Sequence, residues 1–269
     1  MIDISQIDYA ALDRPEVLLM LFHPRPDFTP PASSQKVFDL LIPVSETISL
    51  GARFHVADKA GPNIIFFHGN GEIVSDYDYL GPLYIKNGLN FLPVDYRGYG
   101  RSGGRPSITS MMRDCHLVFG YVKTWLKEND YSGPLIVMGR SLGSASALEL
   151  AANYPDEIDG LIVESGFAYA APLLALLGVN MAALGVKEED GFANIDKIKK
   201  YHGPTLIIHA EYDQIIPFSD GRALFEAGSA PDKMLLMIPM ANHNDIFLRG
   251  IDQYLAAVVE LARRIPRRG

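Results

Sequence analysis

Two serines in the sequence stand in the same five-residue frame, G-x-S-x-G: Ser102 in GRSGG (100–104) and Ser141 in GRSLG (139–143). That frame marks a serine held on a sharp strand-to-helix turn, with its hydroxyl exposed for nucleophilic attack. The hydroxyl attacks an acyl carbon only when a base takes its proton and a carboxylate orients the base. Ser141 follows the apolar run PLIVMG and opens SLGSASALELAANYP, a helical stretch rich in small residues. Strand, tight turn and helix is the setting the frame requires. Ser102 sits in DYRGYGRSGGRPS, where four glycines and then Pro106 spell a loop. Ser141 is therefore the expected nucleophile.

An acid and a histidine follow it in the chain. Asp213 lies in TLIIHAEYDQIIP, just past an apolar run, and His243 lies in MLLMIPMANHND, just past the last one. Both stand at the carboxyl ends of strands, the edge where Ser141 sits. Glu164 and Asp245 are the competing acids. Of the other histidines, His68 ends a strand beside a glycine-rich loop and His209 lies inside a buried run. His23, His55, His116 and His202 have no suitable loop position. The loop FFHGNGE (66–72) supplies what a tetrahedral intermediate needs, backbone N–H groups fixed before reaction. The expected donors are Asn70 and Leu142, with Gly71 or Glu72 as a fallback for the first. Gly69 and Gly71 let that backbone come close to a substrate.

The elements that must hold these residues are legible from periodicity. Short apolar runs at 63–68, 90–96, 134–139, 160–165, 205–210 and 234–239 alternate with helical segments at about 76–87, 109–129, 142–153, 220–227 and 244–264. Runs apolar on both faces are buried strands, and intervening helices imply a parallel sheet. KVFDLLIPV and ETISLGARFHV alternate apolar and polar residues, as an antiparallel pair does. One doubly wound α/β domain is expected over 37–269. Residues 1–36 form a short helix and a proline-rich arm packed on it. An insertion at about 166–200 exceeds one crossover helix, and its apolar stretch 171–186 is expected to line an acyl pocket through Leu174 and Leu177.

Composition excludes several classes. The formal net charge of −8 lacks the basic footprint of nonspecific nucleic-acid binding. The basic run RRIPRRG at the end reads as a solvated tail. The single cysteine, Cys115, rules out an intrachain disulfide and reads as a small buried hydrophobe. No secretory signal is expected, because MIDISQIDYA lacks a basic and an apolar region, and no membrane span, because 171–186 is too short and broken by glycines. A cytoplasmic protein is the expectation.

HGNG, DYRGYGRSGG, GRSLG, DQIIP and NHND together resemble the α/β-hydrolase superfamily over nearly the whole chain. The branch they are most similar to holds the bud-emergence-type hydrolases of fungi and the protein depalmitoylases of animals. The resemblance implies a mostly parallel eight-stranded sheet flanked by helices, with a small cap after strand six. It implies hydrolysis of small-molecule carboxyl esters or thioesters through a covalent acyl-enzyme, with no metal or organic cofactor. It also makes Asp95, Arg97 and Arg101 structural ion-pair residues, with Arg140 pairing to Asp95 or orienting a substrate carboxylate. The N-terminal cysteine cluster of membrane-bound depalmitoylases is absent from the sequence, which argues against membrane-protein substrates. Two rival functions stay open. One is an aminopeptidase-like or proline-type peptidase, with Glu72, Asp76 or Asp78 anchoring a substrate amine. The other is a noncatalytic ligand-binding protein on a hydrolase fold.

Overall fold

The segments before residue 60 pair as expected in a computed structural model that describes residues 2–265. Strand β1 (Val37–Pro43) runs antiparallel to β2 (Ser49–His55), with Val37 opposite His55 and Pro43 opposite Ser49. The apolar runs form β3 (Asn63–Phe67), β4 (Asn90–Val94), β5 (Leu135–Arg140), β6 (Gly160–Glu164), β7 (Thr205–Ala210) and β8 (Lys233–Ile238). The eight strands lie in the order β1-β2-β4-β3-β5-β6-β7-β8. β2 meets β4 antiparallel, and every pair from β4 to β8 is parallel.

Both faces of this sheet are covered, which is why its strands carry continuous apolar runs. Alternate residues divide between two cores. Ile65, Phe67 and Val137 join the larger core, with helices α3 (Ile108–Glu128) and α4 (Ser144–Asn153). Ile64, Phe66, Ile136 and Met138 join the smaller one, with α2 (Gly81–Lys86) and α8 (Ile246–Arg264). Helix α7 (Phe218–Ala227) packs against β7 and β8.

The expected helix at 76–87 is two pieces. A 3₁₀ turn at Val74–Tyr77 ends before α2, whose first turn holds Pro82. Proline has no N–H to donate, so it starts a helix more readily than it continues one. The expected helix at 142–153 likewise begins as a 3₁₀ turn, Ser141–Gly143, before α4.

Between β6 and β7 the chain forms α5 (Ala170–Leu176), two 3₁₀ turns and α6 (Asn194–Ile198). At the start of the chain, α1 (Pro15–Leu21) places Val17 and Leu21 in the larger core. Cys115 is buried and free. The last four residues of the basic run, 266–269, lie outside the described residues. Among the described residues no helix is long and apolar enough to cross a membrane, and no cluster of three or more His, Cys, Asp or Glu could hold a metal ion.

Candidate active site

The loops leaving β3, β5, β7 and β8 at their carboxyl ends carry Asn70, Ser141, Asp213 and His243. Three strands of different chain position thus deliver the three expected triad members to one sheet edge. His243 Nε2 lies 3.0 Å from Ser141 Oγ, and His243 Nδ1 lies 2.7 Å from Asp213 Oδ2. The second Asp213 oxygen accepts from the backbone N–H groups of Ile215 and Ile216, at 3.0 and 2.8 Å. Both carboxylate oxygens are therefore fixed before any substrate arrives. Burial alone would raise the Asp213 carboxyl. The His243 hydrogen bond and the Ile216 N–H outweigh it and hold Asp213 below its usual value.

Ser141 itself sits at φ +50°, a left-handed conformation uncommon for a residue with a side chain. The flanking glycines explain how the turn closes. A Cβ on Gly139 would lie 2.2 Å from the Gly143 carbonyl oxygen, and one on Gly143 would lie 2.1 Å from the Phe67 carbonyl oxygen. Neither contact is with a side chain that could move aside. Any larger residue would force β5, α4 and the loop after β3 apart. Ser144 Oγ donates to the Ser141 carbonyl at 2.6 Å and tightens the same turn.

Ser102 lies in a loop, and its hydroxyl accepts from the Gly51 N–H at 2.9 Å. His68 and His209 are buried completely. His209 Nε2 donates to the Ile216 carbonyl at 2.8 Å, so it braces the loop carrying Asp213. Glu164, the rival acid, faces a different set of partners.

Those partners form a network the sequence reading missed. Arg140, beside the nucleophile, was expected to pair with Asp95 or to meet a substrate carboxylate. It does neither. It is buried, and it donates to Glu72 Oε1 at 2.9 Å, Glu164 Oε1 at 2.6 Å and the His243 carbonyl at 2.8 Å. Tyr254 OH completes the Glu164 side at 2.8 Å. Burial would raise Glu72, but the Arg140 charge overrides it and lowers Glu72 to about 2. Burial wins at Glu164, which is raised despite Arg140. Asp95 accepts instead from the Val74 N–H at 2.9 Å, and His68 Nε2 stands 3.4 Å from it. Arg97 pairs with Asp114, and Arg101 with Asp27 and Asp39. Arg140 and Glu164 end neighbouring parallel strands and stand in register, a pairing that no sequence spacing shows.

A cleft of about 170 Å³ opens beside Ser141, lined by Asn70, Leu142, Leu173, Leu177, Ile215 and His243 among others. Leu177 borders the cleft, and Leu174 does not. Leu174 is 1% exposed and packs into the larger core. Helix α5 is half-buried, and Leu174 shares its inward face with Ala170 one turn earlier, so the neighbouring Leu173 meets the cleft. Leu173 and Ile215 also line a second cleft of about 180 Å³, with Phe167, Leu176, Gln214 and Pro217. The three candidate anchors for a substrate amine all have partners. Glu72 is held by Arg140 and Tyr77, Asp76 caps Ile73 and pairs with Arg25, and Asp78 pairs with Arg53.

Comparison with known proteins decides the family. A family model described as serine aminopeptidase, S33 matches residues 58–187. Alpha/beta hydrolase domain-containing protein 17B of Xenopus tropicalis is 35% identical over 208 residues, covering 73% of this chain and 66% of the relative. This chain belongs to the α/β-hydrolase superfamily. The human protein of the same name matches equally, at 35% identity with 73% of this chain and 66% of its own length covered. The matched part spans just under two thirds of the length of these relatives. The Pyrococcus furiosus esterase Pf2001 has the same fold, with a TM-score of 0.68 at 19% identity, covering 85% of this chain and 92% of that one. The family-model match ends at residue 187, before Asp213 and His243. Their place in the site rests on the geometry alone.

Proposed function

We propose that this α/β hydrolase cleaves carboxyl esters or thioesters of small to medium acyl groups through an acyl-enzyme. The observation that carries the reading is the hydrogen-bonded series Ser141–His243–Asp213 at the mouth of an apolar cleft. His243 Nε2 takes the Ser141 proton as Oγ bonds to the substrate carbonyl carbon. The carbonyl electrons move onto its oxygen, which the N–H groups of Asn70 and Leu142 stabilise. Leu142 is in the first turn of a 3₁₀ helix, where N–H groups have no partner within the turn. The Glu72 N–H donates to the Gly69 carbonyl, which favours Asn70 over that fallback. Collapse of the intermediate breaks the C–O or C–S bond, and His243 gives its proton to the leaving alcohol or thiol. His243 then deprotonates water, which attacks the acyl carbon and releases the acid. Asp213 keeps the imidazole in one tautomer and stabilises its cationic form.

Leu173, Leu177 and Ile215 line the acyl side of the cleft. The name of the matching family model favours a peptidase as the second reading. The engagement of Glu72, Asp76 and Asp78 with other groups weighs against it.

A panel of p-nitrophenyl esters from acetate to decanoate, acyl thioesters and aminoacyl anilides tests the proposal. Ester or thioester turnover that Ser141→Ala abolishes is the expected result. Anilide turnover without ester turnover would favour the peptidase. Folded protein without turnover of any substrate would leave a noncatalytic binding protein.

A further inference from the structure

The triad reading explains Ser141, His243 and Asp213 but not what holds Asn70. Its loop is flanked by Gly69 and Gly71, so the chain there has little stiffness of its own. The Asn70 side chain nevertheless has all its hydrogen bonds directed at one place. Oδ1 accepts from the His23 N–H at 2.9 Å and from Tyr99 OH at 2.8 Å. Nδ2 donates to His23 Nδ1 at 2.8 Å. Two donors converging on Oδ1 fix which way the amide points. The same His23 N–H also lies 2.8 Å from the Tyr99 oxygen, closing a three-residue ring.

The arm grips the loop at a second point. Arg25 Nε donates to the Gly71 carbonyl at 2.8 Å, and the Arg25 guanidinium pairs with Asp76. The arm is itself anchored. The Arg25 carbonyl accepts from the Gly100 N–H at 2.9 Å, and the Gly100 carbonyl accepts from the Asp27 N–H at 3.1 Å. Tyr99 is completely buried. His23 by contrast is exposed, as are Pro24, Arg25 and Pro26. An exposed proline-rich segment would have little reason to hold one conformation, yet its backbone and side chains converge on the residue before Gly71. Leu21, two residues ahead of His23, lines the catalytic cleft.

We propose that the N-terminal arm is a strap that sets the oxyanion-stabilising loop, with His23 and Tyr99 as positioning residues for the Asn70 N–H. The inference rests on the esterase reading. The strap touches neither nucleophile nor base. Its effect falls on the tetrahedral intermediate, whose charge forms where the Asn70 N–H points. Removing a whole oxyanion donor costs on the order of 10²–10³ in rate. Loosening one by removing a single strap contact is expected to cost about tenfold, since a donor displaced by a fraction of an ångström still helps.

The test uses His23→Ala, His23→Asn and Tyr99→Phe in the full chain, with a short p-nitrophenyl ester. Active sites are titrated by burst amplitude, so kcat is counted per competent site. For His23→Ala the expected result is a roughly tenfold fall in kcat per titrated site, with KM within about twofold. A trifluoromethyl ketone, whose tetrahedral adduct carries an oxyanion, should bind weaker by the same factor. His23→Asn keeps an acceptor near the Nδ1 position and should recover most of the rate. Tyr99→Phe should behave like His23→Ala. Should that buried variant fail to fold, the exposed His23 pair still decides. A merely structural strap would lower the burst amplitude and leave kcat per site unchanged, and that result overturns the proposal. Wild-type protein without ester turnover would overturn the esterase reading instead, so the two failures are distinct.

Discussion

Arg140→Gln probes the support behind the site. Arg140 bridges the partly buried Glu72 at 2.9 Å and the fully buried Glu164 at 2.6 Å, and it also holds the His243 carbonyl at 2.8 Å. Each hydrogen bond to a charged group contributes about 1.5–3 kcal/mol. Desolvation of the cation offsets part of that sum, and breaking a buried ion pair by removing one partner costs about 3–5 kcal/mol. A loss of about 4 kcal/mol at neutral pH is expected. The pH dependence is more diagnostic. In the wild type Glu72 is lowered from 4.5 to about 2, so its contribution is present above pH 4.5 and lost as pH falls through 2. Without Arg140, Glu164 loses the charge that opposes its burial, and its carboxyl rises further. The native state then binds more protons than the unfolded chain, and stability falls as pH rises above about 4.5. The deficit, measured at pH 5 and at pH 8, should be larger at the higher pH, growing by up to about 1.4 kcal/mol per unit while that carboxyl titrates. Urea unfolding followed by the single tryptophan, Trp125, reads it directly. A deficit below about 1 kcal/mol, or one equal at both pH values, would refute the reasoning.

Asp213→Asn should lower kcat by about 10⁴, because an amide cannot hold the imidazole in the required tautomer. Unfolding midpoints should change little, since the Ile215 and Ile216 N–H groups keep an acceptor. Leu174→Ala should cost about 2–5 kcal/mol with an unchanged acyl-chain profile, as that side chain is in the core. Leu173→Ala should instead shift the profile toward longer acyl chains by joining the two clefts that Leu173 borders, with a smaller effect on stability. His55 is buried with neither ring nitrogen hydrogen-bonded, and burial lowers it from 6.5 to about 4. The unfolded chain therefore takes up its proton first, and about 3 kcal/mol of stability should be lost as pH falls from 6.5 to 4. His55→Gln should flatten that limb of the pH–stability curve.

Six strands were legible because burial on both faces leaves an unbroken apolar run, and the antiparallel pair because its residues alternate; all lie within a residue or two of the reading except β2, which starts three residues later than the run read for it. The loops at their carboxyl ends carry Ser141, Asp213 and His243, so the strand pattern also located Asp213 and His243 relative to Ser141. Side-chain direction within α5 was not legible. Leu173 and Leu174 are both leucine, and only packing in the folded chain tells which turns into the core. The role of Arg140 was missed for a related reason. Its partners are Glu164 at the end of β6 and Glu72 in the loop after β3, and contacts across a sheet have no sequence spacing to read. The His23–Asn70–Tyr99 ring joins three segments far apart in the chain, and nothing in the composition of a proline-rich arm announces it.

The most direct measurement is labelling with a fluorophosphonate followed by peptide mapping. The reagent forms a phosphorus–oxygen bond only with an activated serine, losing fluoride. One adduct on Ser141, lost in His243→Ala and present at wild-type level in Ser102→Ala, is the expected result. An adduct on Ser102, or folded protein with no adduct at all, would contradict the assignment of Ser141 as the nucleophile.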